Sequence, residues 1–211
     1  MEVNPLRTQA DRSAATKDAL VRAARSLFAQ EGFGGVSTEA IVRAAGVTRG
    51  AMYHQFKDKS ALFQAVFEAV EQDVTTRLAT TVAQAAETDP IALMELGAHA
   101  WLDVCAEPEV QRIVLLDAPA VLGWERWREL GMKYGVGLVE ALIAHAISAG
   151  RIQEQPVKPL AHVFIGSLDE AAMYVVRAED PALARDQMRA VISRLVWALS
   201  AGGLQQLRPP A

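Results

Sequence analysis

The stretch STEAIVRAAGVTRGAMYHQF, residues 37–56, contains two short helical patterns separated by a turn. Ser37, or the threonine after it, can cap a first helix that runs through Ala45, and Gly46 can take the left-handed conformation that ends it. Thr48 can then cap a second helix of about two turns. Two short helices joined by a short turn that contains glycine are the layout of a helix-turn-helix DNA-binding unit.

Longer helical patterns lie on both sides of this stretch. From Thr16 to Glu31 the apolar residues recur at helical spacing, and Gly32 provides a stop signal. Asp58 can cap a further long helix, which we expect to run to the break around Pro90. Because helical spacing recurs along the rest of the chain and strand-like alternation is almost absent, the sequence predicts an all-α protein.

The composition is typical of a compact intracellular chain. The 211 residues are 51% hydrophobic and include a single cysteine, so an apolar core has to stabilise the fold without an internal disulfide. The first residues lack the apolar core of a secretory signal, and charged residues such as Glu140 and Asp169 interrupt the most apolar segments. We therefore predict a soluble cytoplasmic protein with no membrane partner.

Charge is distributed unevenly along the chain. Residues 1–60 carry nine Lys and Arg against six Asp and Glu, whereas residues 61–211 carry twelve against nineteen. A locally basic end on a protein with a net charge of −4 is what a small nucleic-acid footprint would produce. The excess of positive charge is a weak signal alone, so the motif has to carry the prediction.

Residues 19–68, ALVRAARSLFAQEGFGGVSTEAIVRAAGVTRGAMYHQFKDKSALFQAVFE, resemble the N-terminal domain of the tetracycline-repressor (TetR) family. The diagnostic parts are the Leu-Phe and Gly-Phe pairs of the first helix, the Ser-Thr pair, the Ala-Gly-Val turn and the run YHQFKDK. The sequence departs from the usual pattern at Ala40, where an acidic residue often completes a capping box on Ser37. Repression of transcription is the activity that this resemblance implies.

The second helix of the motif carries the predicted reading surface. Met52 and Phe56 lie one turn apart and are expected to face the core, which leaves the remaining side chains outside. Arg49 can donate two hydrogen bonds to guanine, and Gln55 can pair with adenine through both amide atoms. Gly50 permits close approach to a thymine methyl group or to the DNA backbone.

Phosphate contacts are expected around the same helix. The resemblance implies contacts from Thr38, Tyr53 and Lys59, and Lys57 lies beside a helix start whose N–H groups favour anions. Tyr53 could instead fill the core, and the lysines could be solvated. His54 fits either a base contact or a position at the edge of the DNA-binding surface. The predicted DNA contacts are Thr38, Thr48, Arg49, Gly50, Tyr53, His54, Gln55, Lys57 and Lys59.

The predicted organisation has three parts. Residues 1–15 form a flexible arm, in which Arg7 and Arg12 could touch the minor groove. Residues 16–60 form an N-terminal three-helix helix-turn-helix domain. Residues 61–211 form a larger helical domain for ligand binding and dimerisation.

The C-terminal end offers a surface for dimerisation. Asp180 can cap a helix with Pro181 at its first position, and apolar residues then recur at helical spacing. The preceding helix, residues 159–178, is apolar nearly all round, and residues 150–185 look like the dimerising end of the TetR family. An intramolecular core is the alternative. The predicted interface residues are Phe164, Leu168, Val175, Met188, Val191, Ile192, Leu195, Val196 and Leu199.

The middle of the chain is expected to be the sensor. A long helix that begins at Trp124 contains Gly131, Gly135 and Gly137, which suggests close packing or a bend. Asp169 is a candidate polar handle, because an unpaired buried carboxylate is costly. Ordinary core packing is the alternative at each position. The predicted ligand-binding residues are Met94, Trp101, Trp127, Tyr134, Phe164, Asp169 and Met173.

One polar stripe has the spacing of metal ligands. Glu95, His99 and Asp103 lie one helical turn apart from each other. Because no second cluster of His or Cys accompanies them, a solvated ladder of salt bridges is the preferred interpretation. We therefore predict no metal and no cofactor.

Together these patterns predict a homodimeric transcriptional regulator on double-stranded DNA. It binds a near-palindromic operator and is released when a small, mostly apolar effector enters the C-terminal domain. A transcriptional activator would carry the same residues as a repressor. Two alternatives stay open: an all-α enzyme or carrier for an apolar molecule, and a helix-turn-helix adaptor that senses nothing. The enzyme has poor support, because the histidines are scattered and no nucleophile elbow, P-loop or GxGxxG motif is present.

Overall fold

The computed structural model describes residues 9–200, which are helical apart from turns and one isolated antiparallel bridge between Ile152 and Ser200. The predicted all-α class is therefore confirmed. A π-helical segment, Gln111–Asp117, lies in the middle of the chain. The α-helices are α1 (Gln9–Gly35), α2 (Thr38–Ala45), α3 (Arg49–Gln55), α4 (Lys59–Ala83), α5 (Pro90–Cys105), α6 (Pro108–Val110), α7 (Ala118–Leu122), α8 (Trp124–Ser148), α9 (Val157–Arg177) and α10 (Pro181–Ala198).

Side-chain caps set the helix starts at the positions that the sequence predicts. The hydroxyls of Ser37 and Thr48 each accept a hydrogen bond from the N–H three residues later, at 3.1 and 3.2 Å. Asp58 and Asp180 cap α4 and α10 in the same way, at 2.7 and 3.0 Å. Gly46 follows α2 with a φ of 67°, in the left-handed region that glycine favours.

The N-terminal helix is longer than predicted. α1 begins at Gln9 instead of Thr16, so the described part of the expected flexible arm is helical. The amide of Gln55 donates a hydrogen bond to the Ser13 hydroxyl at 2.8 Å, which ties the start of α1 to α3. The rest of the predicted arm, which contains Arg7, lies outside the described residues.

Two helix ends follow different stop signals. Gly32 interrupts the helical backbone of α1 with a φ of 71°, at the predicted stop. α4 ends at Ala83, earlier than the predicted break at Pro90. Asp89 instead caps α5, because its carboxylate accepts the Ile91 N–H at 3.1 Å.

The first of two apolar core clusters joins the N-terminal helices to α4 and the π-helical segment. The rings of Phe28, Phe33 and Phe63 contact one another, with centroids 5.3 to 5.7 Å apart. Met52 from α3 and Val114 from the π-helical segment belong to the same cluster. The core thus continues across the predicted domain boundary, and that boundary stays a prediction.

The second core cluster packs α5 against α8, α9 and α10. Ile91, Ile143, Ile192 and Val196 have almost no exposed surface. Trp101 packs against both clusters, from the junction between them. The space between the two clusters is not filled, and it forms the cavity described below.

Within the part of the chain that the structure describes, α8 alone is long and apolar enough to cross a membrane. About 17% of its most apolar window is buried. α8 nevertheless packs against α4, α5, α7 and α9 within the helical bundle. A single helix in this setting is a weak indication of a membrane span.

Candidate nucleic-acid interface and ligand cavity

One side of α3 is buried in the core, and the other side is polar and exposed. Met52 has no exposed surface and Phe56 is 6% exposed, and both belong to the first core cluster. Their burial turns Arg49, Gly50 and Tyr53 outward, and Tyr53 is 44% exposed. Tyr53 therefore does not fill the core. A short helix with one side anchored and the other polar has the form that enters a major groove.

Arg49 lies at the N-terminal end of α3 among polar neighbours. Its Nη1 is 3.0 Å from Oε1 of Glu39 on α2, and its guanidinium carbon is 5.6 Å from the centroid of the Tyr53 ring. Both members of the ion pair are exposed, so the pair contributes little stability in water. A guanine edge or a phosphate can take the place of Glu39.

Lys59 is half-buried and makes hydrogen bonds within the protein. Its ammonium donates hydrogen bonds to the carbonyl oxygens of Phe33 and Val36, both at 2.8 Å, and lies 4.1 Å from the centroid of the Phe33 ring. These bonds use two of its three donors and fasten the start of α4 to the chain that follows Gly32. The lysine therefore helps to hold the N-terminal helices together, and because its third donor remains available, the phosphate contact stays a prediction.

Gln55 is also turned away from the polar face. It is half-buried, and its amide nitrogen donates to Ser13 at 2.8 Å. A bidentate contact with adenine would require Gln55 to turn away from Ser13, so the predicted base contact stays a prediction. The neighbouring His54 is exposed.

The remaining predicted DNA contacts surround α3. The Thr48 side chain is exposed at its cap position, and the half-buried Thr38 donates its hydroxyl to Glu39 at 3.1 Å. Lys57 is exposed directly after α3. We call this set the reading surface. It comprises Thr38, Thr48, Arg49, Gly50, Tyr53, His54 and Lys57.

A cavity of about 860 Å³, counted to its mouth, lies between the two core clusters. Side chains from α4, α5, α8, α9 and the π-helical segment line it. Five of the predicted ligand-binding residues line the cavity: Met94, Trp101, Trp127, Phe164 and Asp169.

Two predicted ligand-binding residues lie elsewhere. The Tyr134 hydroxyl donates to the Glu68 carboxylate at 2.9 Å, and the residue is not part of the cavity lining. Met173 packs into the first core cluster and borders a second pocket beside Trp124, which shares Trp127, Arg128 and Asp169 with the main cavity. Neither residue lines the main cavity and both assignments stay predictions, because apolar or aromatic character alone does not fix which side of a helix faces the cavity.

The glycines of α8 leave space open. Gly131 and Gly135 line the cavity, whereas Gly137 is exposed on another face. A Cβ atom added at any of the three would have no neighbour within 4 Å. The close packing expected at these glycines is therefore wrong, and two of them enlarge the cavity.

Three charged side chains line the cavity. Arg128 donates a hydrogen bond to the Asp169 carboxylate, and Glu71 lies near the same carboxylate at 6% exposure. Burial, and then the charge of Asp169, raise the pKa of Glu71 to about 8. Burial also raises the pKa of Asp169 to about 6, against the lowering effect of Arg128.

Sequence reasoning missed Glu71. The residue lies at helical spacing from Phe67 and Val74, inside the apolar stripe of α4 that faces the core. A carboxyl group at an inward position of such a stripe was the available signal, because an unpaired buried charge is expensive.

Most of the predicted dimer-interface residues are buried within one chain. Ile192 and Val196 belong to the second core cluster, and Val175 is 7% exposed. Phe164 and Leu168 line the cavity. These five assignments are corrected, because side chains buried within the chain cannot cover a second copy. Met188 and Leu199 are partly buried against the second core cluster as well.

Other apolar side chains of α9 and α10 remain exposed. Val163 and Tyr174 on α9 are 71% and 52% exposed, and Leu183 on α10 is 55% exposed. Val191 and Leu195, both predicted interface residues, are 44% and 48% exposed. We call these five residues the outer face of α9 and α10.

The polar stripe of α5 faces α10 instead of solvent. The Ser193 hydroxyl donates to Glu95 and lies 3.0 Å from Nε2 of His99. Arg189 donates to Asp103 at 2.6 Å. The stripe therefore forms a hydrogen-bonded ladder between two helices. Among residues 9–200, no three His, Cys, Asp or Glu side chains are grouped to hold a metal ion.

Two family models match the chain. A model of bacterial regulatory proteins of the tetR family matches residues 20–66, which include the helix-turn-helix. A model of the tetracyclin repressor-like C-terminal domain matches residues 91–199, which include most of the cavity and the outer face of α9 and α10. The two matches follow the same order as the predicted domains.

The chain is also similar to individual regulators and to a solved structure. The chain is 25% identical to the transposon Tn10 TetC protein of Escherichia coli over 180 residues, 83% of this chain and 88% of that protein. It is 44% identical to the HTH-type transcriptional regulator AcrR of Shigella flexneri over 59 residues, 28% of this chain and 27% of AcrR. The crystal structure of a TetR-family transcriptional regulator from Pectobacterium atrosepticum matches with a TM-score of 0.82 and 32% identity, covering 92% of this chain and 98% of that one.

Proposed function

Because this chain belongs to the TetR family of ligand-responsive, DNA-binding transcriptional regulators, we propose that it represses transcription as a homodimer on a near-palindromic operator. A small, mostly apolar effector in the cavity releases it from DNA. The observation that carries this proposal is the exposed position of Arg49 and Tyr53 on a helix whose other side is anchored by Met52.

The reading surface divides into base and phosphate contacts. Arg49 exchanges Glu39 for the N7 and O6 atoms of guanine, and Gly50 lets the DNA approach closely. Tyr53 and Lys57 contact phosphates on either side of the groove, which fixes the register of α3 without reading sequence. Their exposure in the free protein supports these roles.

The outer face of α9 and α10 is the proposed dimer interface. Its five apolar side chains are 44% to 71% exposed and lie on adjacent, packed helices. Pairing with a second copy removes this apolar surface from water. Two such helices from each copy form a four-helix interface, which supplies the second reading helix about 34–36 Å away.

The π-helical segment supplies the proposed path from the cavity to the DNA-binding helices. Val114 lines the cavity, and its carbonyl oxygen accepts the Trp127 indole N–H at 2.9 Å. In the same segment, Asp117 accepts the Phe33 backbone N–H at 2.6 Å. An effector that moves Trp127 therefore acts on the segment that holds the end of α1. A coupling free energy of about 1–3 kcal/mol is typical of such linkage.

We assign the two activities to two parts of the chain. Residues 16–60 read DNA, and residues 61–211 bind the effector and dimerise. Because the operator is chromosomal DNA, the protein acts in the cytoplasm. We propose no catalytic role, since DNA binding and ligand binding account for the reading surface and for the cavity.

Selection of bound fragments from the source genome tests the proposed function. We expect one family of sequences with two inverted half-sites, and mobility shifts that disappear when an effector is added. An enzyme or carrier would retain no specific fragment. An adaptor would retain fragments that no effector releases.

A charge substitution tests the proposed interface. Val191→Glu combined with Leu195→Glu should yield a folded monomer with little operator affinity, because like charges face each other across the twofold axis. Thr76→Glu combined with Thr80→Glu adds the same charge at exposed positions of α4 and should leave the dimer intact. A dimer of unchanged sedimentation in the α10 variant would contradict the interface.

A further inference from the structure

Glu71 lines the cavity without a hydrogen-bonding partner. The residue is 6% exposed and lines the cavity, and no side chain or backbone group among residues 9–200 donates a hydrogen bond to its carboxyl group. A buried carboxyl group without a donor is costly, and its remaining access is to the cavity. A ligand in the cavity can supply the missing donor.

The other polar groups around the cavity already make hydrogen bonds within the protein. The indole N–H of Trp101 donates to the Leu168 carbonyl oxygen at 3.3 Å, and that of Trp127 donates to Val114. The Arg128 guanidinium donates to Asp169 and to the His162 carbonyl oxygen at 3.4 Å. The cavity therefore has few donors left for a ligand and an excess of acceptors.

Thr75 is the other polar side chain that lines the cavity. It lies one turn after Glu71 on α4. A hydroxyl group can accept as well as donate, so Thr75 can also receive a hydrogen bond from a ligand that reaches Glu71. Both groups therefore suit a ligand that carries several N–H donors on one atom.

The charges point to the same kind of ligand. When both carboxyl groups are ionised, Glu71 and Asp169 carry two negative charges against the single positive charge of Arg128. The rings of Trp101 and Trp127 line the same cavity, and aromatic faces attract cations. With Glu71 ionised, one positive charge on the ligand balances the site, whereas an anionic ligand adds to the excess of negative charge.

We infer that the effector is a monocation, a protonated amine on an apolar body, whose N–H groups donate to the Glu71 carboxylate. Its apolar part occupies the space that Gly131 and Gly135 leave open beside the tryptophans. This inference rests on the proposed function, since it takes the cavity as the effector site.

Proton release should accompany binding. Burial raises the pKa of Glu71 to about 8, so the empty cavity holds this carboxyl group largely protonated at neutral pH. The facing groups are Asp169 on α9, Arg128 on α8 and the buried Cys105 thiol on α5, whose pKa burial also raises. When the ammonium group binds, the Glu71 proton passes to solvent, and the ion pair replaces the neutral carboxyl group.

Three compounds of similar shape test the inference on the full chain. Phenylbutylamine, phenylbutanol and phenylbutyrate share an apolar body and differ in charge. Quenching of tryptophan fluorescence should show the amine binding about tenfold or more tightly than the other two. Calorimetry in buffers of different ionisation enthalpy should show proton release with the amine alone. Equal affinities, tighter binding of the alcohol or the acid, or no binding of the amine would overturn the inference.

Two variants separate this inference from the proposed function. Glu71→Gln should lower amine affinity about tenfold or more and abolish proton release, whereas Glu68→Gln, outside the cavity, should change neither. Gly135→Phe fills the cavity and should abolish binding of every compound. If Gly135→Phe abolishes binding but Glu71→Gln does not weaken it, the inference fails and the effector site stands. If effectors still bind and release DNA from Gly135→Phe, the proposed site fails too.

Discussion

The N-terminal helices and the helices around the cavity differ in how completely their interiors are filled. Around Phe63 the space is filled by large rings, and the Lys59 ammonium is satisfied by two carbonyl oxygens. Around the cavity Gly131 and Gly135 leave space unfilled, and the Glu71 carboxyl group has no donor among residues 9–200. The first region is closely filled, whereas the second leaves space and an unpaired acceptor between its helices.

Truncation of the aromatic core should produce the largest effect. Phe63→Ala removes a ring that has no exposed surface and contacts Phe28 and Phe33, so the free energy of unfolding should fall by about 3–5 kcal/mol in urea titrations. Gln72→Ala, at an exposed position of the same helix, should change it by less than about 0.5 kcal/mol. A loss below about 1 kcal/mol for Phe63→Ala would mean that the N-terminal core is as loosely filled as the cavity.

The Glu71 carboxyl group should make stability depend on pH. Its pKa is about 8 in the folded chain and has an ordinary value of 4.5, so the folded state holds the proton more tightly. The free energy of unfolding should therefore fall as pH rises between these two values. By about pH 8 the loss attributable to Glu71 should be on the order of 4 kcal/mol.

Glu71→Gln isolates this contribution. Urea titrations at a series of pH values should show that Glu71→Gln loses most of the decrease in unfolding free energy with rising pH. Glu68→Gln should keep the wild-type dependence on pH above the range in which ordinary carboxyl groups titrate. Equal slopes for wild type and Glu71→Gln would show that the Glu71 carboxyl group is ionised in the folded chain.

The two lysines beside α3 should separate stability from DNA binding. Lys59→Met removes two hydrogen bonds to carbonyl oxygens and should cost about 1–3 kcal/mol of unfolding free energy. Lys57→Met should leave stability unchanged, weaken binding to all DNA sequences alike and lower the salt slope by about one unit. If Lys59→Met instead leaves stability unchanged and weakens binding to all DNA sequences, Lys59 makes the phosphate contact that the resemblance implies.

Alanine substitutions in α8 should give the smallest effect. Gly131→Ala and Gly137→Ala each place a Cβ atom where no neighbour lies within 4 Å, so each should raise stability by about 1 kcal/mol. Thermal unfolding of the two variants should therefore give similar increases in Tm. Destabilisation at Gly131 but not at Gly137 would show close packing at the cavity wall.

The features that depend on neighbouring residues could be predicted from the sequence. Ser37, Thr48 and Asp58 cap helices through N–H groups three residues later, and Gly46 ends α2 by its own backbone conformation. Such features need no knowledge of the tertiary structure. The same local logic placed Met52 inward and Arg49 outward.

Features that depend on distant contacts could not be predicted in this way. Helical spacing shows that Ile192 and Val196 face an apolar partner, but not that this partner is α5 of the same chain. Lys59 meets the carbonyl oxygens of Phe33 and Val36 only because the chain folds back there. Cavities are harder still, because a space between helices leaves no pattern in any one of them.

Binding of the selected operator and all its single-base variants, by wild type and Arg49→Ala, tests most directly whether α3 reads the major groove. We predict that Arg49→Ala loses discrimination at one position of each half-site, by about 1–3 kcal/mol, and keeps the wild-type profile elsewhere. An unchanged profile at every position would contradict the account.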